Sequence, residues 1–248
     1  MSRPGLLRNG LGYLALARLL LWFIVASRFN SPAELTPRVI DLTRRFFKAL
    51  GIEAVLVGGE RLSADRPTLY MSSHQGLFDH FLALSLLPGR TIGLEKAETQ
   101  RYPVYGRAAR YWGQIFIRRD DPAAAKQACA TVVERLRAGT SVVVYPEGTR
   151  SKDGRLGPLK KGVFHIAAGA GVPIVPVAVV GMFELMPPGR ALCRQGRVEL
   201  RVGEAIPPCP DTPEGREALR ERVRERLEAL RSAPTAATAP AAPPLEAP

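Results

Sequence analysis

The chain has 248 residues, 46% of them hydrophobic, enough to bury one full core with appendages. Its formal charge is +12, with 35 Lys and Arg against 23 Asp and Glu, which favours an anionic partner: phospholipid headgroups, a phosphorylated substrate or nucleic acid. The three cysteines, Cys129, Cys193 and Cys209, are odd in number and form no C-x-x-C pair, so they read as reduced packing residues of a cytoplasmic protein rather than a disulfide or zinc framework.

An apolar stretch from Leu11 to Ala26 opens the chain, broken only by Arg18, with Arg3 and Arg8 before it and Arg28 after. A spanning helix needs about 20 apolar residues, and this run falls short. Arg18 within it and the basic residues after it argue against a cleaved signal peptide. Charges at both ends, with Trp22 and Phe23 inside, favour a helix dipping into one leaflet; a core helix is the other reading. A second helix is expected to start at Thr36-Pro37, Thr as cap and Pro at the first helical position. It places Val39, Ile40, Phe46, Phe47 and Leu50 on one face and Arg44, Arg45 and Lys48 elsewhere. Its basic face is either solvated or in contact with membrane. Residues 1–50 carry a formal +6, half the net charge in a fifth of the chain. Each basic residue near an anionic leaflet adds about 1 kcal/mol of attraction.

From Glu53 onward short apolar runs alternate with helical patterns. Strands are expected at 53–57, 67–73, 91–95, 114–118, 141–145, 174–180 and 197–202, and helices at 79–87, 103–112, 122–138 and 159–169. The 122–138 helix starts at Asp121-Pro122 and should bury Ala125, Cys129, Val132 and Leu136. A last helix, about 213–231, alternates Arg and Glu and keeps Leu219, Val223, Leu227 and Leu230 on one stripe. The expected fold is α/β: a mixed, largely parallel sheet flanked by helices, with an N-terminal membrane-associating helical segment. The expected organisation is residues 1–50 as membrane-associating helices, 51–231 as the α/β domain and 232–248 as a disordered Ala/Pro-rich tail.

The stretch Ser73-His74-Gln75-Gly76-Leu77-Phe78-Asp79 follows the apolar run Thr68–Met71 and precedes Phe81–Leu84. A His at a strand end and an Asp opening the next helix can meet side chain to side chain. The carboxylate then holds one ring N–H and leaves the other nitrogen free to take a proton. Loops at the carboxyl ends of strands gather in such sheets, and Tyr145–Arg150 also follows a strand, so the two segments could share a cleft. Neighbours on a strand point to opposite faces, which sets Ser73 apart from His74, and no G-x-S-x-G elbow occurs. Direct transfer without a covalent serine intermediate is therefore preferred.

Four segments line up: Ser73-His74-x4-Asp79; Gly113-Gln114-Ile115-Phe116-Ile117-Arg118-Arg119; Tyr145-Pro146-Glu147-Gly148-Thr149-Arg150-Ser151; and Val172-Pro173-Ile174-Val175-Pro176-Val177-Ala178. In this order they resemble the glycerolipid acyltransferase family, specifically the bacterial 1-acylglycerol-3-phosphate O-acyltransferases (PlsC-like), over roughly residues 53–205. The N-terminal helices resemble that family's membrane anchor. The resemblance implies transfer of a fatty acyl group from acyl-CoA or acyl carrier protein to the hydroxyl of a lysophospholipid, with the thioester as co-substrate and no other cofactor. It implies His74 as general base, Asp79 as its orienting partner, and Arg119 with Glu147, Gly148, Thr149 and Arg150 as the phosphate side of the acceptor site. Arg150 could grip phosphate with a two-pronged fork, Gly148 lets backbone approach, and Glu147 would position an Arg or the acceptor hydroxyl. Lys160 and Lys161 could add positive field there or simply lie on the surface. The Val172–Ala178 run is associated with substrate in the family, and packing explains it equally well.

Ser73, Tyr145 and Arg118 stand where the family frequently has Asn, Phe and Asp. Arg118 beside Arg119 leaves the acceptor open between 1-acylglycerol 3-phosphate and another lyso-lipid, such as a lyso-aminolipid. An anionic membrane surface, on the cytoplasmic face of the inner membrane, is the expected setting. An idle basic membrane- or nucleic-acid-binding protein is the rival of a different class. No nucleic-acid module is recognisable. His80 and His165 match no metal spacing with His74, so no metal is expected. The G-x-G-x-x-A at Gly10–Ala15 follows no strand and marks no dinucleotide site.

Overall fold

Continuous apolar runs, rather than alternating ones, are what a sheet covered on both faces requires. The computed structural model, which describes residues 5–234, builds such a sheet. Two helices come first, α1 (Leu6–Ala26) and α2 (Pro32–Leu50), then β1 (Ile52–Val57), β2 (Leu69–Ser72) and α3 (Asp79–Leu86). Next are β3 (Thr91–Lys96), α4 (Tyr105–Trp112), β4 (Ile115–Ile117), α5 (Pro122–Arg137) and β5 (Ser141–Val144). The chain continues through α6 (Gly162–Ala170), β6 (Ile174–Val180), the single turn α7 (Met182–Leu185), β7 (Gly196–Val202) and α8 (Pro213–Ser232).

The seven strands lie in the order β1-β7-β6-β2-β5-β3-β4. Every pairing is parallel except β6 with β7. This is the mixed, largely parallel sheet that the sequence predicts. β2 sits between β6 and β5, with all four of its residues buried. Alternation sends Leu69 and Met71 to the side covered by α5, α6 and α8, and Tyr70 to the side of Phe46, Phe47, Phe78 and Leu82 on α2 and α3. The register pairing Met71 with Val144 carries the chain after β2 directly beside the chain after β5. That adjacency builds the site.

The starts of α2 and α6 differ from expectation. α2 starts at Pro32, not at Thr36-Pro37, because Ser31 completes a reciprocal capping box. The Ser31 hydroxyl accepts from the Glu34 N–H, and the Glu34 carboxylate accepts from the Ser31 N–H at 2.6 Å. Pro37 then falls in the second turn, where its missing N–H removes the donor to the exposed Ala33 carbonyl alone. α6 starts at Gly162 rather than 159, because the Lys160 N–H donates to the Pro146 carbonyl at 2.7 Å instead of opening a helix. In α5 the residue buried with Val132 and Leu136 is Ala128, not Ala125, and Cys129 is half-buried. α8 extends one residue past its expected end, through Ser232; residues 235–248 of the expected tail lie outside the described residues.

α1 is also longer than the apolar run implies. Its 21 residues extend about 31 Å, enough to cross a hydrocarbon layer of about 30 Å. One stripe nonetheless packs on the protein: Leu19 and Phe23 are buried, and a Cβ on Gly12 would overlap Leu50. The buried Asn9 amide donates to the Cys193 carbonyl at 2.9 Å and accepts from the Cys193 N–H at 2.8 Å. These bonds tie α1 along the domain, while Leu7, Leu11, Leu14, Leu21 and Val25 stay exposed.

Candidate active site

β2 ends at Ser72, and the next two side chains diverge. Ser73 turns into the sheet, its buried hydroxyl accepting from the Val179 N–H at 2.9 Å. His74 turns the other way, about a fifth exposed, with Nδ1 2.8 Å from Oδ2 of the fully buried Asp79 side chain. The same oxygen accepts from the N–H groups of Gln75 at 2.5 Å and Gly76 at 2.9 Å. An oxygen that meets two backbone donors acts as acceptor for the ring as well, so Nδ1 carries the proton and Nε2 is the free base. The turn needs glycine at position 76, where a Cβ would lie 2.3 Å from the Met182 side chain. Asp79 is the first residue of α3, so the amino end of that helix adds to the donors around it.

The backbone of His74 is held on both sides by the segment after β5. Its N–H donates to Oε1 of the buried Glu147 at 2.8 Å, and its carbonyl accepts from the Ser151 N–H at 2.8 Å. The second Glu147 oxygen accepts from the Gly157 N–H at 2.8 Å. Each Glu147 oxygen thus meets one backbone donor, which joins the His74 turn to the loop that follows the block. Tyr145 stacks on the His74 ring, centroids 4.2 Å apart and planes at 25°.

Around this core the charged residues spread outward. Arg119 donates to the Gly148 carbonyl, and burial pulls its guanidinium below the usual arginine range. Gly148 has φ +70°, a left-handed turn suited to glycine, and the Lys160 side chain lies in contact range of where a Cβ would stand. Thr149, Arg150 and Lys160 are exposed, and the Arg150 guanidinium has no protein partner among the described residues. Arg118 instead pairs with Asp121 at 2.6 Å, away from Gly148. His74, Asp79, Glu147, Gly148 and Arg119 are thus brought into one connected group, with Thr149, Arg150 and Lys160 on its rim. His80 turns onto Gln114, where burial lowers its basicity, and His165 is exposed. Among the described residues no cluster of His, Cys, Asp or Glu is placed to hold a metal ion. Gln75, Tyr145, Ser151 and Gly157 are structural members of the site to which sequence reading assigned no role; proximity to the motif blocks is their one signal.

Burial pushes the Glu147 carboxyl above its ordinary value of 4.5, against the opposing pull of the Gly157 and His74 N–H groups. A carboxyl raised in the fold stabilises fully below its unfolded value and loses that contribution as pH rises through the folded value. Glu147→Gln should remove this slope from melting curves taken upward from the ordinary value of 4.5. It should also cost about 1–3 kcal/mol, because one amide group faces a backbone N–H donor to donor. Chemical denaturation of both proteins checks the two effects.

A small apolar cleft is lined by Leu19 and Phe23 of α1, His80, Phe81 and Leu84 of α3, and Tyr105 and Trp112 of α4; it contains none of the site residues. A wider groove at the opposite, amino-terminal end of the strands, around Arg66, Arg90 and Thr140, contains none of the site residues.

Comparison with known proteins bears on what this arrangement does. A chloroplastic 1-acyl-sn-glycerol-3-phosphate acyltransferase of Brassica napus is 42% identical over 145 residues, 58% of this chain and 42% of the relative. The human 1-acyl-sn-glycerol-3-phosphate acyltransferase beta is 33% identical over 165 residues, 66% of this chain and 59% of that protein. The chain spans less than half the length of the Brassica and Arabidopsis relatives it matches, 42% and 40%. The crystal structure of PlsC, the 1-acyl-sn-glycerophosphate acyltransferase of Thermotoga maritima, superposes with a TM-score of 0.76 at 26% identity. That likeness covers 92% of this chain and 97% of the other. The acyltransferase family model matches residues 54–180, from within β1 to the end of β6. That span includes both the His74–Asp79 pair and the Glu147–Arg150 segment that braces it, and by it the chain belongs to the acyltransferase family.

Proposed function

We propose that the protein transfers a fatty acyl group from an acyl-CoA or acyl carrier protein thioester to the free hydroxyl of 1-acylglycerol 3-phosphate, giving phosphatidic acid. The observation that carries the reading is the 2.8 Å contact of His74 Nδ1 with Asp79, which leaves Nε2 free at a rim of exposed cations. The acceptor's hydroxyl gives its proton to Nε2 as its oxygen bonds to the thioester carbonyl carbon. The tetrahedral intermediate collapses with cleavage of the C–S bond, and the imidazolium returns the proton to the departing thiolate. Asp79 stabilises the imidazolium meanwhile. Ser73 has no part in this, being bonded into the sheet. The reaction calls for no cofactor beyond the thioester.

The names of the relatives support 1-acylglycerol 3-phosphate as acceptor. Arg118 pairs with Asp121 at the surface. Arg150, unpaired at the rim, is assigned the acceptor phosphate, with Lys160 beside Gly148 adding positive field. The exposed leucines of α1 and the +6 of residues 1–50 support a setting on an anionic bilayer, and the cytoplasmic face of the inner membrane is the location we propose.

Arg150→Ala tests the acceptor assignment. Loss of a charge-assisted fork should raise KM for 1-acylglycerol 3-phosphate about tenfold or more, with the thioester KM unchanged. A monoacylglycerol, lacking phosphate, should be used equally poorly by both proteins. An equal penalty on the phosphate-free acceptor would remove Arg150 from the phosphate site.

A further inference from the structure

The matched family span ends at residue 180, yet α8, at Pro213–Ser232, reaches the active-site loop. Residues 151–160 form no helix or strand, so their shape depends on individual bonds. On the inner side these are the bonds already described, from Ser151 N–H to His74, from Gly157 N–H to Glu147 and from Lys160 N–H to Pro146. On the outer side the Arg231 guanidinium donates to the Gly154 carbonyl, which also accepts from the Gln75 side chain at 3.3 Å. Arg224 reaches the Gly157 carbonyl at 3.4 Å. Gly154 has φ +81°, and a Cβ there would press on the Phe183 ring, so the turn presenting its carbonyl is tailored to glycine.

The far end of α8 is itself anchored. Arg201 of β7 donates to the carbonyls of Leu230 and Ala233, and Arg201 is paired at 2.7 Å with the buried Glu199, which Arg197 also meets at 2.9 Å. A continuous path of bonds therefore runs from the sheet, through the carboxyl end of α8 and Arg231, to Gly154 and the Gln75 next to His74.

We propose that α8 straps the 151–158 loop onto the acceptor side of the active site, and that Arg231 is a positioning residue for the lysophospholipid. The reading rests on the proposed acyl transfer to 1-acylglycerol 3-phosphate. Lys152 and Arg155, both exposed, belong to this loop, so its shape sets where they stand relative to the acceptor's phosphate. The bonds from this loop to the His74 carbonyl and to Glu147 come from the Ser151 and Gly157 N–H groups and do not involve Arg231, and Asp79 and Tyr145 hold the imidazole itself.

The test is Arg231→Gln in the full chain, with Arg231→Lys beside it. Backbone amides of residues 151–158 should exchange with deuterium about tenfold faster in the glutamine variant, as expected for loss of one charge-assisted bond. KM for 1-acylglycerol 3-phosphate should rise by about the same factor. The thioester KM and kcat should stay within about twofold, and lysine should restore part of the loss. Unchanged exchange in the loop would overturn the strap. A fall in kcat at constant acceptor KM, or an equal rise in both KM values, would overturn the positioning role. If glutamine prevents folding, the lysine variant carries the same measurements. Should the wild type transfer no acyl group to this acceptor, the functional reading falls, while deuterium exchange still decides whether α8 holds the loop.

Discussion

His74→Ala is expected to lower kcat by about 10²–10⁴-fold, the share general-base catalysis usually supplies, and to leave the fold intact. The hydroxyl of a lipid is a poor nucleophile until its proton leaves, and His74 Nε2 is the base assigned to take it. Glu147 has both oxygens committed to backbone donors, and His80 is turned onto Gln114. Stability should change little, because Asp79 keeps the N–H groups of Gln75 and Gly76 when the ring is gone. The KM values should also hold, since the cations of the rim are untouched. Circular dichroism melts and steady-state kinetics on one preparation measure both halves.

Asp79→Asn should be nearly as damaging to turnover and, unlike His74→Ala, should destabilise the protein. An amide oxygen can still meet the Gln75 and Gly76 N–H groups, but the charge that orients the ring and stabilises the imidazolium is lost. The analogous change in serine-protease triads costs on the order of 10⁴-fold in kcat, and the fall expected here approaches, without exceeding, that of His74→Ala. Weakening two bonds to a fully buried carboxylate should cost about 1–3 kcal/mol of stability. The two residues work as one unit, so the double variant should be no slower than His74→Ala alone. Multiplicative losses in the double variant would mean that Asp79 acts other than through His74.

The two halves of the site differed in how far the chain betrays them. His74 and Asp79 are five residues apart, and a strand end followed by a helix start is enough to bring them together. The strands were equally legible, since a sheet buried on both faces leaves uninterrupted apolar runs such as Leu69–Met71 and Val142–Val144. The role of Glu147 was not, because it depends on β2 and β5 being neighbours. Seventy-three residues separate His74 from Glu147, and β3 and β4, which intervene in sequence, lie beyond β5 in space. The Asn9–Cys193 bonds and the reach of Arg231 to Gly154 are long-range in the same sense. The start of α2 was misplaced for a local reason. Ser31-Pro32 and Thr36-Pro37 carry the same cap signal, and the reciprocal bond from Glu34 decided between them.

The central claim, that His74 and Asp79 deprotonate a lysophospholipid hydroxyl for attack on a thioester, is tested most directly by following a labelled acyl group. The full chain, reconstituted on anionic vesicles, would be given labelled acyl-CoA or acyl carrier protein thioester with 1-acylglycerol 3-phosphate, wild type beside His74→Ala. The account predicts labelled phosphatidic acid from the wild type with at least one thioester, and almost none from the variant. Phosphatidic acid formed equally by both proteins, or by neither with either thioester, would contradict it.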